Sequence, residues 1–251
     1  MSDDYWNTVG PAIPGDVAEQ YTSHRLVREV IGSRRALKIL DLGAGDGRAV
    51  DLFASINQNL TYYGVDIEVS PEVASRSRAD VQFETFNGTD LPYDAEFFDI
   101  IFSHQVFEHV ANPLKLLMDV RRVLKPSGSF VGSVSQLEPY HSFSLWNFTI
   151  YGFGKILLSA GLKLEQLRPG IDGPTLIMRS ASNRDQRYSK FFGATSPLNQ
   201  RLIRKGGKAG MSTKQINHRM LQYAGHICFV ATPAETNEAV AANVSGPESP
   251  V

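Results

Sequence analysis

Three alternating glycines could shape a ligand site in the run 37–50, LKILDLGAGDGRAV. They are Gly43, Gly45 and Gly47, with a short apolar run before them and helix-compatible residues after them. Glycine adopts backbone angles that a Cβ forbids and lets a ligand approach the main chain, and the first N–H groups of a helix are unpaired. The pattern therefore predicts a strand, a glycine loop and a helix around a small polar ligand.

Acidic residues flank this loop in sequence. Asp41 precedes the glycines, and Asp66 ends the next predicted strand, 19 residues after Gly47. In nucleoside-binding α/β folds, a carboxylate at this point accepts hydrogen bonds from the ribose hydroxyls. Asp66 is the predicted ribose ligand, and the alternative is an exposed aspartate that caps the helix beginning near Ser70.

The glycine spacing separates the cofactor classes. A nicotinamide fingerprint reads G-x-G-x-x-G, whereas this chain reads D-x-G-x-G-x-G and resembles the first motif of class I S-adenosylmethionine-dependent methyltransferases. The runs VFEHV (106–110) and LKPSG (124–128) are similar to those of the small-molecule branch, of the ubiquinone-biosynthesis type. The resemblance covers about residues 37–135.

This resemblance implies that the chain is an enzyme, a methyltransferase, with S-adenosylmethionine as its cofactor. In the family, an acid in the loop after the third strand binds the adenine amino group and a neighbouring backbone N–H reads a ring nitrogen; Asp90 and Leu91 match these positions. The cofactor-binding residues expected from the resemblance are Asp41, Gly43, Ala44, Gly45, Asp66, Ile67, Asp90, Leu91, Ser103 and Gln105.

The resemblance also bears on metal binding. Ubiquinone-biosynthesis O-methyltransferases carry a Glu-x-x-Glu-His metal-binding arrangement after the fourth strand, and here the matching residues are Gln105, Glu108 and His109. A neutral amide in place of a carboxylate leaves fewer hard anionic ligands for a divalent ion. We therefore expect no metal.

The segment 138–152 is dense in aromatic and hydroxyl side chains where this fold presents its acceptor. Tyr140, Trp146 and Tyr151 are the predicted substrate contacts, although such aromatics could simply cover the sheet. Histidine is the side chain best suited to take a proton near neutral pH. His141 is the first-choice base and His104 the second, with Tyr140 as a further catalytic candidate.

Periodicity predicts the elements that position these residues. An irregular N-terminal segment (1–23) leads to a helix at 24–33, on whose surface His24 is expected to lie. Strands are predicted at 37–41, 60–66, 81–86, 97–104, 129–135, 162–167 and 227–231, and the main helices between them at 48–56, 112–124 and 152–160.

The fold predicted from this order is α/β: a three-layer sandwich with a Rossmann-like, seven-stranded, mostly parallel sheet and an antiparallel last strand. The last strand arrives late, so 168–225 is predicted to be an inserted helical cap, with helices near 198–205 and 213–223, that acts as a substrate lid. The expected domains are an N-terminal cap and lead-in helix (1–36), the methyltransferase domain (37–233) and a disordered tail (234–251).

The composition limits the classes of protein to which the chain could belong. The chain has 251 residues, 42% of them hydrophobic, a net charge of -1 and a single cysteine, which argues against a surface that tracks nucleic acid and against a thiolate metal cluster. With no long apolar run, we expect no transmembrane segment and a cytoplasmic monomer or homodimer. The alternatives are an RNA or protein methyltransferase, or a non-catalytic module that keeps the fold.

Charge is concentrated in one part of the chain. Residues 179–219 contain ten Lys or Arg and one Asp, a charge of +9 within a chain of net charge -1. Such a segment favours a small anionic acceptor, with Arg201 and Arg204 as predicted contacts, because a cleft walled by protein focuses the field of its charges. A solvated basic surface, or one that rests on acidic lipid, is the alternative.

Overall fold

The computed structural model describes residues 2–57, 59–139 and 143–235. Seven strands form one sheet in the order β3-β2-β1-β4-β5-β7-β6. The strands are β1 Lys38–Leu42, β2 Thr61–Ile67, β3 Phe83–Phe86, β4 Phe98–His104, β5 Leu124–Ser135, β6 Leu162–Pro169 and β7 His226–Pro233.

Strand directions confirm the predicted mixed sheet. The pairs β1–β2, β1–β4, β2–β3 and β4–β5 are parallel, whereas β7 runs antiparallel to both of its neighbours, β5 and β6. The carboxyl ends of β1, β2 and β4 therefore lie at one edge of the sheet. The beginning of β7 reaches the same edge, because Ser135 at the end of β5 pairs with His226.

Helices cover both faces of the sheet. Their bounds are α1 Asp3–Val9, α2 Ser23–Ile31, α3 Ala49–Ile56, α4 Pro71–Ala74, α5 Pro113–Val123, α6 Ile150–Ser159, α7 Gly173–Ala181, α8 Gln186–Ser189, α9 Pro197–Lys208 and α10 Thr213–Gln222. Short 3₁₀ turns lie at Phe107–His109 and Lys190–Phe192. The longest described helix has 12 residues, and a membrane crossing needs about 20, so none of the helices described here could span a bilayer.

Alternation along the strands separates two apolar layers. In β4, Ile100 and Phe102 pack with residues of α2 and α3 such as Leu26 and Phe53. Ile101 points to the opposite layer, which includes side chains of α5 and α6. His104 has the same parity as Phe102, so the fold places it on the α2 side of the sheet edge.

The structure corrects several predicted elements. The N-terminal segment contains α1, which begins after Ser2, whose side chain accepts a hydrogen bond from the Tyr5 N–H; the sequence indicated no helix there. Strand β3 is shorter than predicted, at Phe83–Phe86. The insertion holds α7 and α8 besides the two helices expected near 198–205 and 213–223.

Amide side chains connect the insertion to the N-terminal segment. Gln20 donates to the carbonyls of Phe191 and Ala194 at 2.7 and 2.9 Å, and its carbonyl accepts from Ser196. Asn217 donates in the same way to the carbonyls of residues 14 and 17. The two segments that flank the sheet edge are thus linked through hydrogen bonds that are mostly half-buried.

Candidate functional site

The glycine loop follows β1 as predicted, and each of its glycines needs an unusual backbone. Gly43, Gly45 and Gly47 have φ angles of 77°, 53° and 87°, in the left-handed region that favours glycine. A Cβ on Gly43 would lie 2.4 Å from the Val106 side chain. The loop can therefore keep this close packing only without side chains.

Asp66 lies beside this loop. Its Oδ2 accepts a hydrogen bond from the Gly45 N–H at 2.6 Å, and its Oδ1 accepts from the Ile67 N–H at 2.7 Å. Burial raises the pKa of Asp66, and these two bonds and the charge of Arg76 oppose the shift. The carboxyl group remains half-buried, so its further lone pairs are available to ribose hydroxyls.

Arg76 binds the carbonyl of the same glycine, Gly45. Its guanidinium donates to the Gly45 carbonyl at 2.6 and 2.8 Å and stacks on the ring of Phe83, 3.8 Å from the ring centroid. Asp66 and Arg76 thus bind the N–H and the carbonyl of Gly45. The glycine pattern gave no indication of Arg76, which reaches the loop only because β2 and β3 are neighbours.

Asp41 and Ala44 lie inside the protein. Asp41 is 3% exposed and accepts a hydrogen bond from the Tyr62 hydroxyl at 2.7 Å. Ala44 is also buried, and its N–H donates to the Val65 carbonyl. These two predicted cofactor residues support the loop from within.

The loop after β3 carries the other predicted nucleoside contacts. Asp90 is exposed, and its Oδ2 accepts from Asn87, Thr89 and Lys115; these bonds, Lys115 first, lower the pKa of Asp90 to about 2. Ile67 is 41% exposed beside Asp66. Leu91 is buried, and its N–H already donates to Asp119 at 2.6 Å, so the adenine contact predicted for that N–H would require this bond to be exchanged.

The end of β4 brings Ser103 and Gln105 next to the glycine loop. Ser103 is fully buried, and its Oγ has no hydrogen-bond partner among the described residues. Gln105 has a φ of 55°, an uncommon conformation for a residue with a side chain. Its amide donates to Ser133 and accepts from Ser135, so the position that carries a metal-ligating carboxylate in the resembling family is here part of a hydrogen-bond network.

His104 lies in a polar cavity. Its Nδ1 contacts the hydroxyls of Ser23 and Ser133 at 2.9 and 3.0 Å. The His104 ring reaches the cavity surface, but the surrounding protein disfavours its charged form. The charges of His24 and His226 add to this effect, and the pKa of His104 lies well below its usual value. His24 is not a simple surface residue, as the sequence suggested, because its ring is half-buried 4.8 Å from that of His104.

The remaining predicted acceptor contacts are dispersed. Tyr140 and His141 lie outside the described residues. Trp146 is 45% exposed and donates from its indole nitrogen to the Val110 carbonyl. The Tyr151 hydroxyl is bound to Asp4 of α1. Arg201 and Arg204 are exposed on α9.

The sequence reading missed two residues of this edge, His226 and Glu138. His226 begins β7, and its Nε2 lies 2.9 Å from Glu138 Oε2. Glu138 follows β5 directly, so its place at the carboxyl edge could have been inferred from strand order. The position of His226 depends on the antiparallel return of β7, 58 residues after Arg168.

The residues around the glycine loop fit S-adenosylmethionine. Asp66 supplies a half-buried carboxylate for ribose. The N-cap residue of α3, Arg48, makes no side-chain cap bond, so the start of this helix presents N–H groups towards the loop. The buried, unpartnered Oγ of Ser103 is a further polar group at the same edge.

Comparison with known proteins agrees with this geometry. Residues 40–132 match the model of a methyltransferase domain family. The chain is 32% identical to the ubiquinone biosynthesis O-methyltransferase of Bartonella tribocorum over 127 residues, 48% of this chain and 49% of that protein. It is 31% identical to the enzyme of the same name from Cereibacter sphaeroides over 110 residues, 42% and 44% of the two chains. The chain thus spans about half the length of these curated relatives.

Solved structures share the fold at low sequence identity. The protein in complex with the Haloferax volcanii Trm112 methyltransferase activator has a TM-score of 0.56 and 17% identity, covering 85% of this chain and 89% of that one. The cyclase SpnF has a TM-score of 0.54 and 15% identity, covering 92% and 93%. The family model matched by residues 40–132, the D-x-G-x-G-x-G loop with Asp66 beside it, and the mixed seven-stranded sheet all agree with the resemblance to class I S-adenosylmethionine-dependent methyltransferases.

Proposed function

We propose that this protein transfers a methyl group from S-adenosylmethionine to a small-molecule acceptor. The observation that carries the proposal is the contact between Asp66 and Gly45 at 2.6 Å, which fixes a carboxylate beside the glycine loop at the carboxyl edge of the sheet. The relatives named as ubiquinone biosynthesis O-methyltransferases favour oxygen as the atom that is methylated.

The chemistry requires little of the protein besides placement. Bound S-adenosylmethionine supplies a methyl group on a positively charged sulfur that is already activated for displacement. The chain must align a nucleophile with that methyl group, exclude water and accept a proton where one is released. Asp66 would hold the nucleoside, and Arg76 would keep the Gly45 peptide in place.

A small acceptor suits the cavity beside the loop. Its volume is about 180 Å³, and no Lys or Arg is among the described residues that line it. A macromolecular acceptor such as RNA would need a basic surface that leads to the reacting group. The basic side chains of α9 are exposed, outside this cavity lining.

Isothermal titration calorimetry with S-adenosylhomocysteine tests the cofactor site. We expect micromolar affinity, about -8 kcal/mol, and an Asp66→Ala variant that binds more weakly by about 1.5 to 3 kcal/mol, the range for hydrogen bonds to a charged group. Asp94→Ala, which removes an exposed acid elsewhere on the surface, is the matched control and should bind as the wild type does.

The proposal fails if the wild-type protein shows no heat of binding with either S-adenosylmethionine or its demethylated product. Equal affinity of wild type and Asp66→Ala would instead remove Asp66 from the site. The cyclase SpnF shares this fold, and a shared fold does not establish methyl transfer. Binding should therefore be followed by an assay for transfer of a labelled methyl group.

A further inference from the structure

The cavity beside the glycine loop is lined by three histidines. They come from three different parts of the chain: His24 on α2, His104 at the end of β4 and His226 at the start of β7. The remaining lining residues are Tyr21, Thr22, Ser23, Ser133, Gly170, Ile171, Phe192 and Cys228. Imidazoles and hydroxyls thus provide its polar groups, and the insertion contributes Ile171 and Phe192 to its wall.

The cavity is close to the predicted cofactor loop. Val106 packs against Gly43, where a Cβ would lie only 2.4 Å from its side chain, and His104, two residues earlier, lines the cavity. Arg48, the residue directly after Gly47, is close enough to His104 for its charge to lower the pKa of that ring. The glycine loop and the cavity are therefore neighbours at the same edge of the sheet.

His226 is the histidine that has a carboxylate partner. Its Nε2 lies 2.9 Å from Glu138 Oε2, and both side chains are largely buried, at 12% and 15% exposure. Because a carboxylate only accepts hydrogen bonds, Nε2 carries the proton in this pair and Nδ1 keeps a free lone pair. Nδ1 of His226 has no hydrogen-bond partner among the residues that the structure describes.

Ser135 links Glu138 to the end of β4. Its Oγ lies within hydrogen-bond distance of carboxylate or amide oxygens of Glu138, Glu108 and Gln105. A hydroxyl donates one bond at a time, so these three acceptors share the Ser135 proton. The network holds the Glu138 carboxylate in place beside His226.

The other two histidines have different surroundings. His104 has hydroxyls at Nδ1, and both His104 and His24 have a pKa below the usual value, chiefly because the surrounding protein disfavours the charged form. Among the described residues, the acidic groups near His226 are Glu108 after β4 and Glu138 after β5; His104, His24, Tyr21 and Cys228 line the same cavity. Of these groups, Glu138 is the one within hydrogen-bond distance of His226.

We propose that His226, oriented by Glu138, is the general base of this enzyme and takes the proton of an acceptor hydroxyl bound in the histidine cavity. This inference rests on the proposed methyltransferase function. The oxygen–methyl bond forms as the sulfur–methyl bond of S-adenosylmethionine breaks, and the bonding pair stays on sulfur, which becomes a neutral thioether. The hydroxyl proton passes to Nδ1 of His226 and from there to solvent.

The lining also indicates the chemical class of the acceptor. A cavity of about 180 Å³ with the rings of Tyr21 and Phe192 in its wall, and no Lys or Arg, suits an uncharged group with an apolar frame and a hydroxyl. Any anionic part of the acceptor would remain outside, towards the basic insertion.

Methyl transfer from tritium-labelled S-adenosylmethionine to phenol, catechol and benzyl alcohol tests the inference. We expect the wild type to methylate at least one of these probes, and His226→Ala to lower kcat by about 100-fold or more, as loss of a general base does, with S-adenosylhomocysteine affinity unchanged. Glu138→Gln should lower kcat by a smaller factor. Met118→Ala, an exposed change on α5, is the control with wild-type rates.

Two readouts separate a base from a structural residue. Added imidazole should restore part of the rate of His226→Ala, and the decline of the wild-type rate at acidic pH should disappear in that variant. A His226→Ala enzyme with the wild-type kcat and pH profile would overturn the inference, as would a wild type that binds S-adenosylhomocysteine but methylates none of the three probes. Absence of S-adenosylhomocysteine binding would overturn the proposed function itself.

Discussion

Asp41 illustrates how a single buried residue links the glycine loop to pH. It lies at the end of β1, fully surrounded by protein, and accepts a hydrogen bond from Tyr62. Burial raises its pKa from 3.8 to about 7, with a further contribution from the charge of Asp66. The native protein therefore retains a proton on Asp41 at pH values where the unfolded chain has released it.

The sign of the effect follows from this difference. Because the unfolded chain binds fewer protons between about pH 4 and pH 7, the free energy of unfolding falls as pH rises through that interval. Asp41→Asn keeps an acceptor for Tyr62 and removes the titration. For the wild type, we expect the free energy of unfolding in urea to fall by on the order of 2 kcal/mol between about pH 5 and pH 8. For Asp41→Asn, we expect this fall to be absent.

The slope, rather than the absolute stability, is the diagnostic quantity, because the asparagine amide brings its own hydrogen-bonding needs. Asp51→Asn, at a side chain that is 77% exposed, should give a curve parallel to that of the wild type. Parallel curves for wild type and Asp41→Asn would show that Asp41 ionises in the fold as it does in the unfolded chain.

At the scale of elements, the N-terminal segment and the insertion form one side of the cavity together. Arg168, 5% exposed at its side chain, makes a two-point ion pair with Asp16 at 2.6 and 2.7 Å, which lowers the pKa of Asp16 to about 2. Asp172 is completely buried and accepts from the N–H groups of Thr175 and Leu198, at the starts of α7 and α9. The ion pair connects the chain before β1 to the end of β6, and Asp172 connects the starts of α7 and α9 within the insertion.

Gln20 is the centre of this connection, and Gln20→Ala tests it. The change removes the bonds of Gln20 to the carbonyls of Phe191 and Ala194 and to the donors of Ser196 and Asn199. We expect a loss of about 1 to 2 kcal/mol in the free energy of unfolding, because these bonds are mostly half-buried and each contributes on the order of 1 kcal/mol or less. Amide hydrogen exchange in the insertion should also be faster.

The matched control is Gln200→Ala, since Gln200 makes one exposed bond to the Thr195 carbonyl. It should change stability by less than about 0.5 kcal/mol. If Gln20→Ala and Gln200→Ala unfold at the same urea concentration, the insertion is held by its apolar contacts and not by the amide of Gln20.

At the scale of the whole molecule, charge is distributed unevenly. Residues 179–219 carry +9, whereas the entire chain carries -1. Arg201, Arg204 and Lys205 are exposed on α9, and they do not line the histidine cavity. Their influence on an acceptor would therefore act through the electrostatic field that surrounds the cavity mouth.

Neutralising Arg201, Arg204 and Lys205 together tests whether the acceptor carries negative charge. We expect a higher KM for an anionic acceptor and a weaker dependence of that KM on salt, because screening acts on exposed charges. S-adenosylhomocysteine affinity should stay the same in calorimetry. If neither salt nor the triple change alters the acceptor KM, the basic segment serves another purpose.

The sequence by itself determined the glycine loop, the order of the strands along the chain and the antiparallel direction of the last one. Gly43, Gly45 and Asp66 can be recognised from the local sequence. The glycines indicate a backbone conformation that a Cβ would obstruct, and Asp66 ends an apolar run 19 residues after Gly47. The strands and their order along the chain followed from short apolar runs separated by segments of helical periodicity. The long segment between the sixth and seventh predicted strands indicated the insertion.

Only the tertiary structure decided what lies next to the loop. Arg76 reaches Gly45 because β2 and β3 are adjacent, and His226 meets Glu138 because β7 returns antiparallel beside β5. His24 was assigned to the surface because a helix pattern does not say what packs against its polar face. Pairs that are 88 residues apart, as Glu138 and His226 are, are set by strand pairing and packing, and no local pattern in the chain encodes them.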